Sequence, residues 1–149
     1  MKICIAASAG GHLTEALQLG EVWKGKNHFF ITDKRINGVD LSHKEKVYFI
    51  IPARRNYFKF GISFLQSLYI ILKERPSVII STGAEIGYPS LLIGHYLGIK
   101  TIYIETLARI NSPSLCGKLA YGKVDYFFVQ WPEQKKFFPN AKYVGSVLE

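Results

Sequence analysis

Residues 77–81 read Ser77-Val78-Ile79-Ile80-Ser81, with three apolar side chains in a row falling on both sides of an extended chain. A strand with one wet face alternates polar and apolar residues. A strand buried on both faces does not alternate, and double burial marks a parallel sheet covered by helices. Working outward, strands are predicted over Lys2–Ala7, His28–Thr32, Lys46–Ile51 (ended by Pro52), Lys100–Glu105, Asp125–Gln130 and a short Ala141–Val144. Helical patterns separate them. His12–Lys24 carries Leu13, Ala16, Leu17 and Leu19 at helical spacing, and Phe60–Lys73 stops ahead of Pro76, because the residue before a proline resists the helical region. Tyr88–Leu97 is closed by Gly98, and Ser112–Gly122 predicts a last helix. The alternation makes residues 1–149 one Rossmann-like α/β domain, a doubly wound parallel sheet without repeat or linker.

A chain of 149 residues, 48% hydrophobic and 20% charged, is long enough to bury a real core and reads as globular. Its formal net charge of +8 points to an anionic partner: phosphate, nucleic acid or an acidic membrane. No nucleic-acid-binding module is recognisable, so nucleic acid is set aside. Cys4 and Cys116 form no ligand-spaced cluster and read as reduced thiols of a cytosolic protein. His12, His28, His43 and His95 show no ligand pairing, so neither metal nor cofactor is expected. No signal peptide follows Met1, and no run reaches the roughly 18 apolar residues that span a bilayer. The expected location is the cytoplasm, with peripheral attachment to the membrane.

Ligands of doubly wound sheets bind outside the carboxyl ends of the strands. Ser8-Ala9-Gly10-Gly11-His12 is the first such segment. Its glycines allow a tight turn, and the amides at the following helix start face an anion at the positive end of the dipole. His12 stands at that helix start, where a neutral imidazole can act as general base. The plainer alternative is a tight turn with His12 as a polar cap. A dinucleotide-binding alternative rests on Asp33, placed to hold a ribose hydroxyl, but the Gly-x-Gly-x-x-Gly fingerprint is absent.

Pro52–Lys73 is the most unusual stretch. Arg54, Arg55 and Lys59 precede a helix whose Phe60, Phe64, Leu65, Leu68 and Leu72 form an expected core stripe. Ile62, Tyr69 and Ile70 fall off that stripe and leave surplus apolar surface. An interfacial helix with cations at its start fits this pattern, and a buried helix or subunit contact is the alternative. Thr82-Gly83-Ala84-Glu85 offers a second glycine turn at a strand end, with Glu85 in the cleft. Glu105 and Arg109 follow the next strand. Arg109 can hold phosphate bidentately, or the two can form an internal ion pair.

The ordered set Ser8-Ala9-Gly10-Gly11-His12-Leu13-Thr14-Glu15, Thr32-Asp33-Lys34-Arg35, Ile51-Pro52-Ala53-Arg54 and Pro76 through Ala84 carries a resemblance. It continues through Ile102-Tyr103-Ile104-Glu105-Thr106-Leu107-Ala108-Arg109, Ser114 through Leu119, Val129-Gln130-Trp131 and Pro139 through Gly145. This set resembles the anchor subunit of the split N-acetylglucosaminyltransferase of asparagine-linked glycosylation, the ALG-fourteen family. It resembles the similar bacterial capsule and exopolysaccharide proteins better still. The order also looks like the N-terminal half of the lipid II-forming N-acetylglucosaminyltransferase, a GT-B enzyme of two Rossmann-like halves.

The resemblance implies an acceptor-binding, membrane-docking subunit of a two-chain UDP-sugar-dependent glycosyltransferase, inactive alone. A second glycosyltransferase chain would bring the UDP-sugar, because this chain ends at Tyr143–Glu149 where the similar enzyme enters its second half. The acceptor would be a polyprenyl-diphosphate-linked saccharide. His12 and Glu105 are the expected catalytic residues; Ser8, Gly10, Gly11, Arg54, Gly83 and Arg109 the acceptor and phosphate contacts. Arg55, Lys59, Phe60, Ile62 and Tyr69 are the expected contacts with an anionic membrane. Eukaryotic anchor subunits begin with a transmembrane helix, whereas this chain starts at its first strand. The alternatives are a free-standing nucleotide or anion binder and a non-catalytic anchor.

Overall fold

The computed structural model describes residues 1–148. In chain order it runs β1 (Lys2–Ala7), α1 (Gly11–Gln18), α2 (Gly20–Trp23), β2 (Asn27–Thr32), α3 (Ile36–Ser42), β3 (Val47–Phe49) and α4 (Tyr57–Glu74). It continues with β4 (Val78–Gly83), α5 (Gly87–Leu97), β5 (Lys100–Ile104), α6 (Leu115–Ala120), β6 (Tyr126–Val129), a 3₁₀ turn (Pro132–Lys136) and β7 (Lys142–Tyr143). The strands form one parallel sheet in the order β3-β2-β1-β4-β5-β6-β7. This is the Rossmann-like doubly wound sheet that the unbroken apolar run at Val78-Ile79-Ile80 predicts.

Each sheet face carries its own core. On one, Ile79, Tyr103 and Phe127 pack with Ile70 and Ile71 of α4, Leu91 and Ile93 of α5, and Cys116 and Ala120 of α6. On the other, Ile3, Ile5, Phe30 and Ile80 pack with Leu13 and Ala16 of α1, Trp23 of α2 and Leu41 of α3. This second face is covered on only one side. Beyond α1 and α2, Ile80, Ile102, Ile104 and Phe128 floor an apolar trough of about 340 Å³ between Leu19 and Val22 and the segment 144–147.

Several elements depart from the sequence expectation for identifiable reasons. The helix expected over His12–Lys24 is broken at Leu19, where the Ala16 carbonyl receives the Leu19 amide and, at 3.4 Å, the Trp23 indole. The unexpected α3 contains the poor helix formers Asn37, Gly38 and Asp40. It backs so tightly onto the end of β2 that a Cβ on Gly38 would lie 2.5 Å from the Asp33 carbonyl oxygen. α4 begins earlier than expected because the Asn56 side chain caps the amides of Phe58 and Lys59 at 2.9 and 3.1 Å.

The face of α4 is also corrected. Its buried side is Ser63, Ser67, Ile70, Ile71 and Glu74, while Leu65 and Leu72 of the expected core stripe point outward, 64% and 53% exposed. Phe58 and Tyr69 join them, 78% and 66% exposed, in a stripe along the outer side. Ser63 and Ser67 let the first turns of the helix lie close to its support, with Ile70 and Ile71 taking the buried side further on. At the far end of α4, Glu74 is held by Lys2 at 2.9 Å, Lys46 at 2.6 Å and the Tyr48 hydroxyl. The Lys46 and Tyr48 contacts, opposed by burial, hold its carboxyl at about 2. Among the described residues no helix is long and apolar enough to cross a membrane.

Candidate functional site

The strand ends of β1, β4, β5 and β6 gather the expected residues around α1. Gly10 adopts φ 101°, a conformation only glycine takes without strain, and the turn Ser8–Gly11 is fastened from several directions. Ser8 donates its amide to Gly83 O at 3.1 Å, and its hydroxyl accepts the Ile86 amide at 3.2 Å. The Ala9 amide reaches Asp33 at 2.6 Å, and Asn37 brackets Gly10 by accepting its amide at 2.8 Å and donating to its carbonyl at 3.0 Å. Ser8 and Gly10, expected as phosphate contacts, thus spend their amides inside the protein. The amides of Gly11 and His12 have no protein partner among the described residues. Asp33 also holds the Arg35 guanidinium at 2.6 Å, so the carboxylate that a dinucleotide ribose needs is already engaged.

His12 is half-buried and pinned to β4. Its Nδ1 lies 2.8 Å from the Thr82 carbonyl, and the Thr82 hydroxyl donates back to the His12 carbonyl at 2.6 Å. A carbonyl only accepts, so Nδ1 carries the proton and the neutral ring keeps its lone pair on Nε2. Gly83, at φ 102°, makes this approach possible, since a Cβ there would come within 3.2 Å of Nδ1. The Gly83 amide donates to Ser81 Oγ at 3.0 Å. Gly83 therefore makes room for the imidazole, and its amide is not available to phosphate as expected.

Glu105 corrects the sequence expectation most clearly. It is 0% exposed, and its carboxylate accepts from Tyr103 Oη (3.0 Å), Thr106 N (3.0 Å), Ser114 N (3.0 Å) and Ser114 Oγ (2.6 Å). Buried and held by these four hydrogen bonds, it braces the loop 105–114 from inside. Burial pushes the neighbouring Cys116 thiol up to about 12 and the Tyr103 phenol well above its ordinary range. Arg109 does not pair with Glu105. It is exposed at the loop apex, with Nη1 3.3 Å from Ser112 Oγ.

Two residues that the sequence reading passed over organise the same cleft. Glu15 accepts from Thr106 Oγ1 at 2.9 Å, Leu107 N at 3.3 Å and Gln130 Nε2 at 3.0 Å. Gln134 donates to the carbonyls of Thr106 at 3.0 Å and Arg109 at 2.5 Å. The three-residue spacing from His12 to Glu15, one helical face, was the available signal. Across the cleft, Glu85 accepts the Arg54 amide at 2.7 Å, and Arg54 and Arg55 are exposed at φ 50° and 59°. Of the expected membrane contacts, Arg55, Lys59 and Tyr69 are exposed, but Phe60 and Ile62 are half-buried. The Phe60 ring packs 6.3 Å from Tyr88.

These features define a class. The chain has the fold of one Rossmann-like half of a GT-B molecule. It superposes on MurG of Acinetobacter baumannii with a TM-score of 0.76 at 16% identity, covering 97% of this chain and 44% of that one. UDP-GlcNAc 2-epimerase of Methanocaldococcus jannaschii matches similarly, with a TM-score of 0.74 at 14% identity, over 97% of this chain and 45% of the epimerase. The chain thus spans less than half the length of these solved structures. Residues 51–147 match the family described as "Oligosaccharide biosynthesis protein Alg14 like", and the chain belongs to that family. The mouse "UDP-N-acetylglucosamine transferase subunit ALG14" is 28% identical over 182 residues, covering 99% of this chain and 83% of the relative. The human protein of that name is 33% identical over 89 residues, 55% of this chain and 41% of the relative.

Proposed function

We propose that this chain is the acceptor-binding, membrane-docking subunit of a two-chain GT-B glycosyltransferase. The enzyme moves a sugar from a UDP-sugar onto a polyprenyl-diphosphate-linked saccharide. The observation that carries the reading is His12, tautomer-locked by Thr82 beside the uncommitted amides of Gly11 and His12. A base with a free Nε2 next to an anion seat is what such an acceptor requires. Its diphosphate is received by those amides, with Arg54 and Arg109 closing from the two sides of the cleft. Its hydroxyl oxygen attacks the anomeric carbon with inversion, UDP leaves with the electron pair of the broken C–O bond, and Nε2 takes the hydroxyl proton.

The relatives' designation as transferase subunits supports a second chain that brings the UDP-sugar. Its seat is the apolar trough floored by Ile102, Ile104 and Phe128, the part of this face that α1, α2 and α3 leave open. Docking to the membrane uses the outer stripe of α4, Phe58, Leu65, Tyr69 and Leu72, with Arg54, Arg55 and Lys59 at its start. Anionic lipid attracts each such cation by roughly 1 kcal/mol. In this reading the subunit works peripherally at the cytoplasmic face of the membrane.

Reconstitution tests the whole reading. The purified chain transfers no sugar to a polyprenyl-diphosphate acceptor, and turnover appears when a UDP-sugar-binding chain is added. Full turnover by this chain alone, or none with any such partner that binds it, overturns the proposal.

A further inference from the structure

α1 is fastened at two points on one face. Near its start His12 is pinned to the end of β4 through Thr82. One turn later Glu15 is pinned to the ends of β5 and β6, because Thr106, Leu107 and Gln130 all donate to its carboxylate. Thr106 and Gln130 are themselves 4% and 2% exposed, so these donors are fixed. Gln130 is oriented further: its Nε2 also donates to the Glu105 carbonyl at 2.9 Å, and its Oε1 accepts the Val147 amide at 2.9 Å. A short helix held at one point can still turn about its axis. Held at two points, it cannot turn without breaking one set of bonds.

We propose that Glu15 is a positioning residue: it fixes the rotation of α1, hence the aim of the His12 ring, and holds the loop leading to Arg109. The inference rests on the reading of His12 as the base. Glu15 need not touch substrate, and its effect passes through His12. The carboxylate is specifically required. In Glu15→Gln one side-chain position that accepts from Gln130 becomes a donor, and donor meets donor at the 3.0 Å contact. The geometry is kept in volume but not in polarity.

The test has two arms. In the free full-length chain, ¹⁵N NMR of the His12 ring reads the tautomer, and hydrogen exchange reads the Leu107 amide. In wild type the ring is held with its proton on Nδ1. In Glu15→Gln the ring signals shift toward the mixture of tautomers seen in water, and the Leu107 amide exchanges at least about tenfold faster. Thr106→Val removes one of the three donors to Glu15, together with the acceptor of the Ala108 amide, and moves the His12 ring signals the same way by less. In the reconstituted pair Glu15→Gln lowers kcat by up to about 10²-fold, the cost of a misplaced group, while KM for acceptor changes little. An unchanged ring and unchanged Leu107 exchange overturn the proposal, as does a fall in kcat with the ring unmoved. Absence of turnover in the wild-type pair strikes the transferase reading instead, and the NMR arm still decides whether Glu15 holds α1.

Discussion

His12 and Thr82 hold each other at both ends: Nδ1–H donates to the Thr82 carbonyl at 2.8 Å, and the Thr82 hydroxyl donates to the His12 carbonyl at 2.6 Å. The two bonds contribute differently. The first sets the tautomer, and the second anchors the backbone that carries the ring. His12→Ala should therefore lower kcat of the reconstituted pair by about 10²–10⁴-fold, the range of general acid–base catalysis. Thr82→Val keeps the carbonyl that orients the ring and loses only the hydroxyl bond, costing about 1 kcal/mol of stability. Its kcat should fall far less than that of His12→Ala. Steady-state kinetics with varied acceptor, beside thermal melts, separates the two effects.

The adjacent glycines have different work and should respond differently. A side chain on Gly11 meets no protein atom within 4 Å. Gly11→Val should leave the fold almost as stable as wild type while raising KM for a diphosphate acceptor, because the side chain obstructs the Gly11–His12 amides. Gly10→Ala meets little steric obstruction but must adopt φ 101°, a conformation that costs a non-glycine residue on the order of 1–3 kcal/mol. Its melting temperature should drop first. Equal melting temperatures and equal KM for both variants would remove the anion seat from this turn.

Much of the fold was legible because buried parallel strands carry a local signature, as at Val78-Ile79-Ile80 and Ile3-Cys4-Ile5. α3 was not legible. Its residues disfavour helix, and the close packing of Gly38 on Asp33 is a tertiary fact with no local trace. The face of α4 was misread because hydrophobic periodicity rewards Leu65 and Leu72, whereas Ser63 and Ser67 take the buried side. In the site, His12 followed from its glycines. Glu105 was assigned to the cleft because an acid at a strand end looks solvent-facing until Ser114, nine residues on, folds back onto it. The bonds of Asp33 to Ala9, of Asn37 to Gly10 and of the Gln130 side chain to Glu15, Glu105 and Val147 join residues 17 to 115 positions apart, and no spacing rule reaches them.

Glu74 makes the fold acid-sensitive. Its folded pKa of about 2 lies below its ordinary value near 4.5, so the unfolded chain binds the proton more readily. The stabilisation is therefore present above about 4.5 and is lost progressively as pH falls toward 2. Glu74→Gln should lower the melting temperature at pH 7, with a cost of about 1–3 kcal/mol for hydrogen bonds to a charged group. It should also flatten the part of the acid-unfolding curve between those two values. Melts from pH 7 to pH 2 check both outcomes, and parallel curves for wild type and variant would assign the acid sensitivity to other carboxylates.

The membrane reading divides into an electrostatic and an apolar contribution that respond to different changes. Arg54 and Arg55 stand exposed at the start of α4, and Phe58, Leu65, Tyr69 and Leu72 run down its outer side. Sedimentation with vesicles containing anionic lipid should exceed that with neutral vesicles. It should also weaken with salt as the Debye length shrinks below about 8 Å. Arg54→Glu with Arg55→Glu should abolish the preference for anionic lipid without moving the melting temperature. Leu65→Ser with Tyr69→Ser should weaken binding to both vesicle types and leave the salt dependence intact. Leu65 and Tyr69 are 64% and 66% exposed, so this pair also leaves the core unchanged. Phe60→Ser differs in kind, because that ring packs 6.3 Å from Tyr88 and its loss should lower stability before it lowers binding. If the serine pair binds vesicles as wild type does, the outer stripe of α4 faces another protein instead of lipid.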